Sequence, residues 1–407
     1  MPVPGGLRAL YLATGTWTAA IAPFSAVILQ SHGVDTTTIG VLAALAALAA
    51  TALVPAWGHL ADVMVGRAYA FQLGIVIASV AAVALLLPLP LPVLAVILAF
   101  FSIFPTMFLA LADSLAIDAL PAPERQYGAM RALASLSFAL GIIVAGFVYD
   151  RTGYAAVPLV CLGWSALLLV VLHRVPDRTR DPRVRAVAAV LGGDDAAGRF
   201  GSVSRALSTE PRLWAVLAVF TIAYTGLLAA TLFVGIRIVD LGGQPSDVAL
   251  SFGVAALAEI PGLVIAGWLI RRIGIRWVVV MGLTGFGACI ISWGVLSTPD
   301  AINATRVVTG LSFGALIAAR VVVIARLLPD ELQATGQTML QAATFGLGTA
   351  LGAVIGGVVY ASFGPTVFFG LAGALAIGGG IGAAVVLRGP VGDRLPTGEV
   401  APIPAGT

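Results

Sequence analysis

The chain has 407 residues, 59% of them hydrophobic and 10% charged, and a mean hydropathy of +1.04. A water-soluble protein of this length could not hide that much apolar surface, so lipid is the solvent for most of the chain and a soluble enzyme is excluded. The net charge of +3 comes from 22 basic residues, all Arg, and 19 acids; the arginines cluster between apolar runs, which excludes a nucleic-acid-binding surface.

Apolar runs of about 20 residues separated by short polar loops predict twelve transmembrane helices. They fall at about 8–30, 37–58, 69–89, 92–120, 127–149, 155–173, 213–237, 246–270, 276–297, 301–327, 334–361 and 366–387. Only Arg8 precedes the first apolar stretch, and that stretch is long enough to span, so a retained helix is expected rather than a cleaved signal. Runs such as Val41 to Leu48 lack the alternation of a membrane β-barrel. The expected fold is an all-α membrane protein of two pseudo-symmetric six-helix bundles, residues 1–173 and 213–387. Residues 174–212 are expected to form a linker, with room for a short surface helix. The Pro- and Gly-rich residues 388–407 are expected to be disordered.

Arginine placement predicts orientation. Arg67, Arg125, the run from Arg174 to Arg212, Arg271, Arg272, Arg276 and Arg326 lie in the even-numbered loops; Arg151 and Arg237 lie opposite. Even loops and both termini are therefore expected in the cytoplasm, and the Arg-only basic set hints at a bacterial cytoplasmic membrane.

The halves carry a repeat. Gly58-His59-Leu60-Ala61-Asp62-Val63-Met64-Val65-Gly66-Arg67 is echoed by Gly267-Trp268-Leu269-Ile270-Arg271-Arg272-Ile273-Gly274-Ile275-Arg276, an offset of 209 (267 − 58). Leu140-Gly141, Gly146, Val148-Tyr149 and Gly153 match Leu351-Gly352, Gly357, Val359-Tyr360 and Gly364, an offset of 211 (364 − 153). Two matches at nearly one offset argue for duplication, and parallel six-helix halves with a solute site between them near mid-membrane are one known carrier arrangement. Gly58 and Gly267 are expected to permit close helix approach or unusual backbone angles. Asp62 and Arg67 can pair and lock one conformation, and Arg272 is the basic member of the second gate.

Ionisable groups inside spans point to a site, because burying each in lipid is costly. These are Asp113 and Asp118 in span 4, Arg131 at the start of span 5, Glu259 in span 8 beside Pro261, and Arg306 and Arg320 in span 10. Arg131 can pair with Asp113 or Asp118, and Glu259 can face Arg320. A buried acid can take up a proton near neutral pH, freeing a partner Arg to hold an anionic solute; the alternative is that such pairs only fix packing. Trp17, Phe24, Phe101, Phe108, Phe220 and Tyr224 could line an apolar pocket or pack the core. Gly348, Gly352 and Gly356 form a helix-packing stripe. Cys161, Cys289 and the three scattered histidines have no disulfide or metal spacing.

The first loop resembles the Gly-x-Leu-Ala-Asp-Arg-x-Gly-Arg-Arg signature of the major facilitator superfamily: Gly58, Leu60, Ala61 and Asp62 match, Val63 replaces an Arg, and Gly66 and Arg67 arrive one residue late. The second copy has Arg271 where the acid stands, so the gating salt bridge implied by the family would use Asp62 alone. Tyr127-Gly128-Ala129-Met130-Arg131-Ala132-Leu133-Ala134-Ser135, with Pro105 and Leu111 to Ala116 upstream, resembles the phenylpropionate-, nucleoside- and lactose-permease-like branch. Span 4 has no Arg and span 5 no Gly-Pro, the marks of drug antiporters. The resemblance implies a proton-coupled symporter taking up a small organic solute by alternating access. It implies no cofactor beyond the proton gradient, and a monomer in the bilayer. Drug or sugar efflux by proton antiport is the alternative.

Overall fold

The structure, a computed structural model, describes residues 3–121, 123–186, 195–389, 391 and 393. Most of the tail expected to be disordered lies outside these described residues. Among the described residues, eleven continuous helical stretches are long and apolar enough to cross a membrane. They are α1 (Gly5–Ser31), α2 (Thr36–Val65), α3 (Arg67–Ala84), α4 (Leu91–Ala119), α5 (Gln126–Thr152), α6 (Tyr154–Leu172), α7 (Arg212–Asp240), α8 (Pro245–Ile273), α9 (Ile275–Trp293), α10 (Pro299–Leu327) and Asp330–Val386. The last is broken at Gly364, whose φ of 77° is not helical. Phe368 returns beside Tyr360, their rings 5.5 Å apart, so the chain reverses there. It therefore makes two passes, α11 (330–363) and α12 (365–386), giving the expected twelve. Helices are the outcome lipid demands, since each satisfies its backbone hydrogen bonds internally.

Positive-φ glycines punctuate the passes in pairs: Gly33 and Gly242, Gly66 and Gly274, Gly153 and Gly364. Their offsets are 209 (242 − 33), 208 (274 − 66) and 211 (364 − 153), so the duplication is written in backbone angles as well as in sequence. Gly58 and Gly267 differ from expectation. Both are in regular helix, and a Cβ at Gly58 would meet nothing within 4 Å, while one at Gly267 would meet only Arg271 Nη1 at 3.6 Å. The turn in each copy needs the later glycine, Gly66 at φ 94° and Gly274 at φ 84°, because no L side chain tolerates those angles cheaply.

Within the first half α1 packs on α5 and α6; within the second α8 packs on α10, and α7 on α11 and α12. Gly352 seats directly on the Thr225 carbonyl, so the α11 glycine stripe packs helices. The halves meet along α2 with α11 and α5 with α8. There Gly40 lies on Ala353, and Gly146 on Ser246 and Ala249. At the odd-loop end Gln30 Nε2 donates to Asp240 (3.0 Å), the Ser246 N–H to Asp150 (2.8 Å), and the Thr36 hydroxyl to the Gly357 carbonyl (3.3 Å). The linker contains the expected helix, Asp195–Thr209, packed against the start of α11.

Candidate functional site

Charged residues of both halves converge between the bundles. From α1, the Tyr11 hydroxyl donates to Asp113 Oδ1 on α4 (2.7 Å), and Arg131 Nη1 on α5 reaches Asp113 Oδ2 at 3.4 Å. Across the interface Glu259 of α8 lines a cavity with Phe138, which lies two turns beyond Arg131 on α5. No ion-pair partner stands within 4 Å of Glu259 among the described residues. On α10 Arg320 donates to Gln341 Oε1 (2.9 Å) and lies over the Phe345 ring (5.0 Å). Its guanidinium lies beside the hydroxyl of the fully buried Tyr224.

Of the two partners open to Arg131, the structure forms Asp113. Asp118, one turn further along α4, bonds Arg67 instead. The expected Glu259–Arg320 pair does not form: Arg320 is taken by Gln341, and Glu259 lines a cavity with Phe138 and Arg306. Arg306 is 3% exposed and points among aromatic rings rather than toward an acid.

Three aromatic candidates belong to the core and not to a pocket. Trp17 is fully buried, stacked on Phe101 (5.3 Å) and edge-on to Phe108 (4.8 Å), with its indole N–H on Ser165. Phe108 also packs on Phe71, and Phe24 on Tyr149 and Tyr154. Each sits on a helix face turned into its own half, where large rings bury most area. Phe101 and Phe220 are likewise buried, and only Tyr224 brings a polar tip to the charged cluster. Tyr11, which bonds Asp113, and Gln341, which bonds Arg320, lie outside the residues the sequence points to. The signal was there for Tyr11, an aromatic with a donor in a span that must face an intramembrane acid.

At the even-loop end Arg67 binds Asp62 Oδ1 (2.6 Å) and Asp118, and donates to the Ser114 carbonyl (3.2 Å). The start of α3 is capped from the linker: the Arg67 N–H donates to the Thr179 hydroxyl (2.8 Å) and the Ala68 N–H to Asp177 (2.9 Å). In the second copy Arg272 lies over Trp268 (5.7 Å), and Arg276 over Trp277 (4.9 Å) and near Asp393 (3.8 Å).

Residues 6–371 match the MFS_1 like family. The maltose permease of Geobacillus stearothermophilus is 26% identical over 339 residues, 83% of this chain and 83% of its own length. The uncharacterized transporter YwbF of Bacillus subtilis (strain 168) is 22% identical over 87% of this chain and 86% of its own. Among solved structures, the nucleoside transporter NupG superposes with a TM-score of 0.78 at 13% identity, covering 96% of this chain and all of that one. A POT family transporter in complex with 5-aminolevulinic acid gives 0.70 at 14% identity, covering 93% and 95%. At such identities the structures speak for the fold alone. With twelve membrane passes, buried charges between two repeats and a family match over most of its length, the chain belongs to the MFS_1 like family and is a multi-pass membrane transporter of small solutes, not an enzyme.

Proposed function

We propose that the protein takes up a small organic solute by alternating access, driven by a proton gradient. The two halves, residues 1–173 and 213–387, rock as units about the α2–α11 and α5–α8 contacts. The carrying observation is that Glu259, with no ion-pair partner among the described residues, lines a cavity between the halves together with Phe138 of the first half and Arg306 of the second. Glu259 is the proton carrier in this reading. Protonated, it releases Arg131 to hold polar groups of the solute; ionised, it draws the halves together. Asp113 and Tyr11 orient Arg131, and Arg320 and Tyr224 supply further polar groups from the other half.

The interhalf hydrogen bonds gathered at the odd-loop end support a state open toward the even loops. The Arg-rich even loops support a cytoplasmic position for that end, in a bacterial inner membrane. One twelve-helix chain encloses the whole site, which supports a working monomer. Similarity to a maltose permease over most of the chain supports uptake of a sugar-sized solute.

A solute panel in proteoliposomes, with and without an inward proton gradient, tests this. Accumulation of at least one solute only with the gradient is expected. Transport that is indifferent to the gradient for every solute would remove proton coupling, and outward pumping would favour antiport.

A further inference from the structure

Arg306 lies deep in the second half. Its Nε–H donates to the Ser251 carbonyl at 3.0 Å, and its guanidinium is sandwiched between Phe252 and Trp293, 5.4 and 5.2 Å from their ring centroids. No carboxylate stands within ion-pair distance among the described residues, and Nη1 and the neighbouring Ser251 hydroxyl are both buried without a partner. A cation left alone in the membrane interior is among the costliest arrangements a chain can keep, and a counter-charge relieves it. Arg306 lines a cavity of about 160 Å³ together with Glu259, Thr231, Thr309 and the rings of Phe138 and Phe313. An apolar cavity of about 150 Å³ admits one benzene ring.

We infer that this cavity is a subsite for a small monocarboxylate with a single ring or an equally compact apolar body, its carboxylate on Arg306. The carboxylate supplies the missing counter-charge and accepts from a planar fork suited to it. The apolar body lies among the phenylalanine rings, and Thr231 and Thr309 serve any hydroxyl it carries. Phe138 belongs to α5 of the first half, so the occupant touches both halves and is sensed by their rocking. The inference rests on the proposed function at one point: Glu259 lines the same cavity, and only its protonated form leaves the incoming carboxylate without a repelling neighbour.

Benzoate and its neutral isostere benzamide, titrated against the full chain in detergent below neutral pH, test the subsite. Binding is read by tryptophan fluorescence, with Trp293→Phe identifying the signal from the site. Benzoate is expected to bind about tenfold or more tighter than benzamide, as a charge-assisted hydrogen bond requires. Arg306→Lys is expected to keep part of that preference and Arg306→Gln to erase it; the wild-type comparison of the two probes stands whether or not the Gln variant folds. Equal affinity for both probes overturns the inference, as does a preference surviving in a folded Arg306→Gln, or displacement of benzoate by equimolar chloride. Absence of probe binding alongside gradient-driven uptake of another solute removes the subsite and leaves the transporter reading intact. Probe discrimination without any gradient-driven uptake removes proton coupling and leaves the subsite standing.

Discussion

At the even-loop end the first half gathers one cation between two acids, whereas the second half gathers two cations about one acid. Arg67 binds Asp62 and Asp118, all carried by α2, α3 and α4. The corresponding positions are Arg276, 209 residues on (276 − 67), Arg271 for Asp62 (271 − 62 = 209), and Arg326 for Asp118 (326 − 118 = 208). Arg276 lies 3.8 Å from Asp393, while Arg326 donates to the Val391 and Asp393 carbonyls. The duplication has thus kept the turn-forming glycines and the central arginine, and put arginines where the two acids stand. The first cluster is closed by the membrane helices themselves. The second is closed by the segment that follows α12, so the two clusters differ in what holds them.

The largest expected effect comes from removing the shared cation. Arg67→Gln leaves Asp62 and Asp118 facing each other without a counter-charge, and about 2 kcal/mol of stability is expected to go, since the trio is only part-buried. Initial uptake should fall about tenfold. Arg276→Gln should cost well under half as much, because Asp393 is 53% exposed and Arg326 remains. Thermal unfolding in detergent and uptake rates, measured on both variants, check this; equal losses would break the comparison.

Next in size is the turn glycine. Gly66→Ala forces an L side chain to φ 94°, and its Cβ would stand 3.1 Å from the Thr179 carbonyl. A loss of about 1–3 kcal/mol is expected, read as a lowered unfolding midpoint. Gly58→Ala, in open helix, should change it by less than about 0.5 kcal/mol. A larger penalty at Gly58 would restore it as the hinge.

The smallest effect separates the helix caps. Asp35 caps α2, accepting from the Thr38 N–H (3.0 Å) and hydroxyl (2.6 Å), whereas Gln244, 209 residues on (244 − 35), caps α8 in a box with Asp247. The Thr38 hydroxyl, then its backbone N–H, hold the Asp35 carboxyl below its ordinary value. Its stabilisation is therefore complete above the ordinary carboxylate range and is lost as pH falls through the lowered value. Asp35→Ala should cost on the order of 1 kcal/mol at neutral pH and less in acid. A loss that does not shrink in acid would show that the carboxylate is not what holds the cap.

Much of this was legible in the residues. Lipid-length runs set the twelve passes, and the repeated loop foretold the duplication and the unequal charge of its two copies, Asp62 against Arg271. What escaped was partner choice. Asp113 and Asp118 share a helix, and only the packing of α3 against α4 assigns Arg67 to one and Arg131 to the other. The same holds for Glu259, which the halves' docking places in a cavity with Phe138 of the other half and which makes no ion pair with Arg320 on its own side among the described residues. Trp17, Phe24 and Phe108 illustrate a third gap: an apolar helix in lipid has no polar face to say which side is inward, so core rings and pocket rings look alike in sequence.

The most direct test of the account compares gradient-driven accumulation with solute exchange in proteoliposomes carrying Glu259→Gln. A permanently neutral side chain should allow the halves to rock with solute bound, keeping exchange, while proton-driven accumulation falls to the level seen without a gradient. Accumulation undiminished in Glu259→Gln would contradict the assignment of proton coupling to the interface between the two halves.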